Sequence, residues 1–302
     1  MCRIWKWAFA PVAVMAAALI GVSWWLTEPL EAPPPPVKHV RLASPSIPPA
    51  PPEAAEAATT SLAWPEGRLD GLAAKRVLLD MLLAASKRLD TVDCYTAQFH
   101  KQERIDGKLG CEQCMELKVR NHPFSVYFKF LRPEPGKEVV YAEGRHENKL
   151  IAHSTGWSRR LLPRLAVSPT NSLALADNRH PITDVGLANM THKLIGYRRM
   201  DLEDADAITI LDCLKGDDGR LLHRSIHTHS HRCPERPFAR VEVLYDPDTE
   251  IPIQISNFDW PEPGQEGELL LAEHYSYGNL KLNAGLNDLD FDPANPEYAF
   301  HR

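Results

Sequence analysis

From residue 95 onward, long stretches of the chain alternate apolar and polar residues with period two. A chain written that way builds a sheet with one buried face. Tyr95, Ala97 and Phe99 alternate with Thr96, Gln98 and His100; Met115, Leu117 and Val119 alternate with Glu116, Lys118 and Arg120. Phe124, Val126, Phe128 and Phe130 then alternate with Ser125, Tyr127 and Lys129. Asp106-Gly107 is a tight hairpin signal. Further strands are expected near 138–143 and 148–153, then near 207–214, 221–231, 239–246, 250–258 and 268–278, with Asp246 to Thr249 as a turn. Helical spacing of Val77, Leu78, Met81, Leu82, Ala85 and Leu89 predicts an opening helix, with Asp70 as its N-cap. A second helix is expected from Ile182, capped by Thr183, with Leu187, Met190, Leu194 and Tyr197 as its buried stripe. Residues 157–180 read as a loop with short helical turns. The order of helix, strand meander, helix, strand meander predicts an α+β fold, a large antiparallel sheet curved around one or two helices.

The N-terminal region is written differently. Trp7 to Leu26 runs without a charge, long enough at about 1.5 Å per residue to cross a hydrocarbon core of about 30 Å. Arg3 and Lys6 precede it, Glu28 and Glu31 follow it, and Trp5, Trp7, Trp24 and Trp25 mark its ends. The expectation is a cytoplasmic start at 1–6, a transmembrane signal-anchor at 7–26 and a body on the periplasmic side of the cytoplasmic membrane. A cleaved signal peptide is the alternative, and it exports the body equally. Residues 27–67 hold 11 of the 26 prolines and are otherwise rich in Ala, Glu, Ser and Thr, which reads as a disordered linker. The folded domain is then expected over 68–302.

Lys and Arg number 34 against 40 Asp and Glu, a formal net charge of −6, which argues against a nucleic-acid partner. No nucleophile elbow, zinc-protease helix, P-loop or dinucleotide glycine pattern occurs, so no catalytic residue and no cofactor is expected. Asp184 fits the first turn of a helix, and Asp201, Glu203, Asp204 and Asp206 fit a helix end or loop. His223, His227, His229 and His231 share one strand face, and of these His227, His229 and His231 are the candidate metal ligands. One row along one strand does not converge on an ion, so the favoured reading is an exposed strand face near a loop. Cys111-Glu112-Gln113-Cys114 has the spacing of a metal or redox pair but lacks the partner motifs such sites carry, and Cys213 with Cys233 is a plausible disulfide in an exported body. Leu117, Phe124, Phe128, Phe130, Val241, Val243, Ile253, Ile255, Leu269 and Leu271 are expected on one concave apolar face. Such a face either encloses a ligand or is filled by helices, since both have the same binary pattern. Asn178-Arg179-His180 is the candidate functional loop, and helix entry is its plain structural alternative.

Several runs resemble a bacterial family of unknown function, the domain numbered 1571. They are Tyr95 to Phe99 with Lys101 to Arg104, Pro123 to Tyr127, Gly136 to Tyr141, Asn178 to Thr183, Asp259 to Pro261, and Leu280 to Asn283 through Phe291 to Pro296. That pattern is similar in turn to the periplasmic lipoprotein carrier LolA and the sensor RseB. The resemblance implies an open, half-barrel antiparallel sheet with helices on its concave side. Three functional readings follow: a non-catalytic binder of lipid or lipoprotein acyl chains, an envelope protein-interaction or sensor domain, and a metal-binding protein using the His223–His231 row. The tether distinguishes this chain from a free shuttle.

Overall fold

The computed structural model describes residues 63–154, 164–216, 219–261, 267 and 269–301. The apolar segment 7–26, the start at 1–6 and residues 27–62 of the proline-rich stretch lie outside the described residues, as do 155–163 of the middle loop. No helix among the described residues is long and apolar enough to cross a membrane.

The alternating runs form one antiparallel sheet. Its strands are β1 (Leu69–Asp70), β2 (Cys94–Ile105), β3 (Lys108–Leu109), β4 (Gln113–Arg120), β5 (Ser125–Arg132), β6 (Glu138–Ala142), β7 (Leu150–His153) and β8 (Arg164–Val167). They continue with β9 (Ile208–Lys215), β10 (Leu221–Thr228), β11 (Arg240–Tyr245), β12 (Pro252–Phe258) and β13 (Leu271–Leu282). The spatial order is β1-β9-β10-β11-β12-β13-β2-β4-β5-β6-β7-β8, with β3 on β2. Each half is a meander of hairpins, and the halves join where β13 pairs β2, Tyr277 opposite Phe99. Asp106 and Gly107 both take positive φ (49° and 75°) at the β2–β3 hairpin, the conformation of a primed turn. Asp246 Oδ1 accepts from the Asp248 N–H at 3.1 Å and the Thr249 N–H at 2.9 Å, closing the β11–β12 turn.

Helices α1 (Gly71–Leu89) and α3 (Leu187–Glu203) pack on one face of this sheet; the short α2 (Ser172–Leu175) lies in the middle connection. Leu78, Met81 and Leu82 of α1 meet Leu194 and Ile195 of α3 and Leu211, Val243 and Tyr245 of the sheet. Leu187 and Met190, at the start of α3, pack with Tyr95, Phe99, Leu117 and Phe128.

Four expectations change on contact with the packing. The body begins before residue 68: Trp64 is buried, its indole N–H donates to the Asp212 carbonyl at 3.1 Å, and its ring stacks on His223 at 4.6 Å. Asp70 holds the N-cap position of α1, yet its side chain makes no cap hydrogen bond, because the residue is drawn into β1 against Ile210. Ile182–Asp184 forms a separate 3-10 turn, and α3 starts only at Leu187, so Thr183 does not cap it. The third change is thus one of capping by tertiary contact: the N–H of Leu187 donates to the Tyr95 hydroxyl at 2.9 Å and that of Gly186 to the Tyr277 hydroxyl at 3.3 Å. Fourth, the polar phase of β5 is not solvated. Tyr127 and Ser125 are buried, and on that face Tyr298 stacks on Tyr127 at 4.1 Å beside Phe291 and Phe300 of the C-terminal segment.

Gly186 carries a consequence. It sits at φ 122°, and a Cβ there would lie 3.2 Å from the Tyr95 hydroxyl that caps the helix. Gly186→Ala is expected to cost about 1–3 kcal/mol, read by urea unfolding of the full chain. An unchanged midpoint contradicts the tyrosine-capped start of α3.

Candidate binding cavity

Leu165 and Val167 of β8 and Val241 of β11 line one and the same cavity. Those strands are eight steps apart in the sheet, roughly 38 Å if it were flat. The sheet therefore curls, and the enclosed space, about 580 Å³, lies between its concave face and the α3 side of the molecule. Phe99, Met115, Phe128, Phe130, Val139 and Ile255 supply the sheet wall. Met190 and Leu194 of α3, with Ile182, Val185 and Phe238, supply the opposite side. Two methionines facing each other suit a wall that adapts to flexible contents.

The ten residues expected on the concave face separate into two groups. Phe128, Phe130, Val241 and Ile255 line the cavity. The other six do not: Leu117 and Val243 are buried in the two core clusters, and Phe124 precedes β5 and packs at the edge of the first. Ile253 falls in the irregular register near Leu244 and Tyr245, Leu269 precedes β13, and Leu271 opens that strand opposite Phe258. The alternation cannot tell which part of a face the helices cover, and it does not register the irregularity at Ile253 or the start of β13 after Leu269.

Asn178, Arg179 and His180 all line the cavity, and two buried carboxylates hold them there. Glu103 on β2 and Glu273 on β13 are register partners, side by side on the inner face. Arg179 Nε and His180 Nε2 both lie 2.9 Å from Glu273 Oε2, and Asn257 Nδ2 donates to Oε1 at 2.7 Å. Glu103 accepts from the Arg179 backbone N–H at 3.1 Å and from the Tyr275 hydroxyl at 2.5 Å, with Lys101 Nζ at 3.1 Å. Lys101 also donates to Asn178. Burial pushes the Glu273 carboxyl up, but the His180 hydrogen bond and charge, Asn257 and Arg179 outweigh it and hold the group below the ordinary glutamate value. Tyr275 is pushed well up by burial and by both carboxylates, so its hydroxyl stays a donor.

A second polar cluster stands at the C-terminal end of α3. Arg198 and Asp201 are 2% and 1% exposed. Asp201 Oδ2 lies 3.1 Å from Arg198 Nη2, and its Oδ1 lies 3.2 Å from His229 Nε2 and 3.5 Å from Arg236 Nη1. Arg236 also pairs Asp204. Burial raises the Asp201 pKa, while the His229 hydrogen bond, Arg198 and Arg236 pull it down and win. Burial lowers that of Arg198 against the pull of Asp201. Arg198 Nε and Nη1 are buried with no hydrogen-bond partner, a state that ordinarily costs about 1–3 kcal/mol per group.

The histidine row does not act as a unit. His223 stacks on Trp64; His227 is buried between Thr209 Oγ1 at 3.1 Å and Ser225 Oγ at 2.9 Å; His229 reaches the Phe238 carbonyl at 2.9 Å; His231 is exposed beside Ser230. Among the described residues no group of three or more His, Cys, Asp or Glu side chains could hold a metal ion. Cys213 and Cys233 are both free thiols, so the expected disulfide between them is not formed. Cys114 is a free buried thiol that accepts from Gln98 Nε2 at 3.4 Å, so it does not pair with Cys111.

The expected positions do not include Glu103, Glu273 and Arg198, and Asp201, read as part of a helix end or loop, is a buried residue of α3. Three of the four were marked in the chain. Glu103 has the parity of the inward Tyr95, Ala97 and Phe99. Arg198 and Asp201 continue the stripe Leu187, Thr191, Leu194 by one further four-step and three-step.

Residues 92–300 match the family described as "Protein of unknown function (DUF1571)". Among curated proteins nothing matches the chain. Solved structures with a similar course include the lipoprotein LppX of Mycobacterium tuberculosis (11% identity, 72% of this chain and 99% of that chain, TM-score 0.40). The MucA/MucB complex of Pseudomonas aeruginosa follows (14%, 73% and 60%, TM-score 0.37), then a LolA superfamily protein of Nitrosomonas europaea (12%, 70% and 96%, TM-score 0.29).

Proposed function

The chain belongs to the DUF1571 family, and we propose that this member is a non-catalytic binding module for the acyl chains of a lipid or lipoprotein, held at the outer face of the cytoplasmic membrane. The cavity carries this reading. Its volume of about 580 Å³ lies within the roughly 300–1,000 Å³ of ligand sites, and its walls combine aromatic, aliphatic and methionine side chains with ion-paired charged groups. Each methylene buried there contributes about 0.8 kcal/mol, so a chain of about a dozen carbons gains about 10 kcal/mol against the cost of ordering a ligand. The buried carboxylates Glu103 and Glu273 are committed to ion pairs and hydrogen bonds, which suits a latch more than proton transfer. The charge-free run from Trp7 to Leu26 supports the anchor in this reading.

The test is native mass spectrometry with lipid extraction on the full chain purified in mild detergent. Co-purifying acyl lipid is expected from the wild type. Ile255→Trp, which places an indole in the cavity, is expected to abolish it while the protein still melts cooperatively. Wild-type protein free of lipid and unable to take any up sinks the proposal.

A second reading, a protein-interaction domain, is favoured by one observation. Among the described strands β8 ends the sheet and pairs β7 alone, leaving one edge open to strand addition. A photo-crosslinker at Ala166 is expected to trap one stoichiometric protein partner in membranes if this reading holds; crosslinks to lipid alone favour the first.

A further inference from the structure

We infer that the ligand of this cavity is an anionic amphiphile, an acyl chain ending in a carboxylate or phosphate head that Arg198 receives; this rests on the acyl-chain reading above.

Two observations point to it. The first is the pairing of the cations in the wall. Lys101, Lys137, Arg179 and Lys193 each face a carboxylate of their own, Glu103, Glu134, Glu273 and Asp184, and Arg236 faces Asp204, so a ligand head meets spare donors only where a cation is under-served.

The second is the state of Arg198. This guanidinium is 2% exposed, stands in the cavity wall, and has donors at Nε and Nη1 with no partner in the protein. Its one carboxylate, Asp201, is shared with His229 and Arg236, which also reach the wall. Lys75, buried at the same helix end, spends its ammonium on the Asp204 backbone carbonyl and adds no carboxylate. Asp201 Oδ2 is likewise buried without a hydrogen-bond partner, but it lies against Nη2 and leaves Nε and Nη1 unmet, and an anionic head supplies acceptors for those two. The chain of the same ligand then runs along the Phe128, Phe130 and Met190 walls.

Equilibrium binding of radiolabelled probes to the full chain in an uncharged detergent tests this. The probes are oleate with methyl oleate, and dioleoyl phosphatidate with dioleoylglycerol, so that each pair differs in the anionic head. The wild type is expected to prefer the charged member of at least one pair by roughly tenfold or more, as a hydrogen bond to a buried charge implies. Preference in the first pair assigns a carboxylate head, in the second a phosphate. Arg198→Gln is expected to erase the preference, read as the ratio within each pair; should that variant not fold, Arg198→Lys, which keeps the charge but not the fork of donors, is expected to reduce the ratio, and an unreduced ratio overturns the role of Arg198. Equal binding within both pairs overturns the inference and leaves the acyl-chain reading standing. Preference that survives in a folded Arg198→Gln overturns the role of Arg198. No binding of any probe overturns both.

Discussion

Asp201→Ala is expected to destabilise the body by about 3–5 kcal/mol, a large share of the stability of a domain this size. Arg198 is buried on α3 with Asp201 as its counter-charge, and His229 and Arg236 lean on the same carboxylate. Removing the carboxylate strands a guanidinium away from water, and that penalty exceeds the worth of the pair itself. The control separates the two effects. Asp201→Ala combined with Arg198→Met deletes both charges and keeps the aliphatic stem packed, so most of the loss is expected to return. Urea unfolding of the full chain and both variants reads the outcome. A double variant as unstable as the single one locates the cost elsewhere, in the packing of α3 on the sheet.

The two sites differ in how far the sequence exposed them. Strand positions were legible because one rule, period two, applies along most of β2, β4 and β5, the register among them shifting only at Cys114 and Met115; Tyr95, Phe99, Leu117 and Phe128 all point where alternation sends them. The helix starts were less so. Local capping rules point to Thr183, whereas the N–H groups at the start of α3 are met by Tyr95 and Tyr277 from strands about ninety residues away, and no local rule registers such a partner. Cavity and filled core were indistinguishable for the same kind of reason. Leu117 and Phe128 sit on one face of adjacent strands, one beneath packed side chains and the other at the open space, and only the position of α3 decides which. The charged groups in the wall were hidden by composition, since Glu, Arg and Asp on a strand or helix read as solvated until register places them inside.

The Glu103–Glu273 pair makes the cavity sensitive to acid, and Glu273→Gln is expected to cost about 1.5–3 kcal/mol at neutral pH through loss of charged hydrogen bonds. Two carboxylates face each other across β2 and β13, an arrangement that repels unless cations intervene. Lys101 and Arg179 intervene, the His180 ring lies against the same Glu273 oxygen, and Arg179 and His180 come from the loop that borders the cavity. Glu273 is held below its ordinary value in the fold, so its contribution is fully present above the unfolded glutamate pKa of about 4.3 and disappears as pH falls through the lower folded value. The wild type is therefore expected to lose its stability advantage over Glu273→Gln below about pH 4. The protection of Arg179 and His180 against hydrogen exchange, taken relative to the intrinsic rate at each pH, is expected to fall over the same interval, because a neutral Glu273 no longer pins the Arg179 side chain. Ligand release should accelerate with it, since the same loop lines the cavity. Parallel melting curves for wild type and variant from neutral pH to pH 3 detach the loop from this carboxylate; converging curves with exchange confined to that loop make the pair the latch of the cavity.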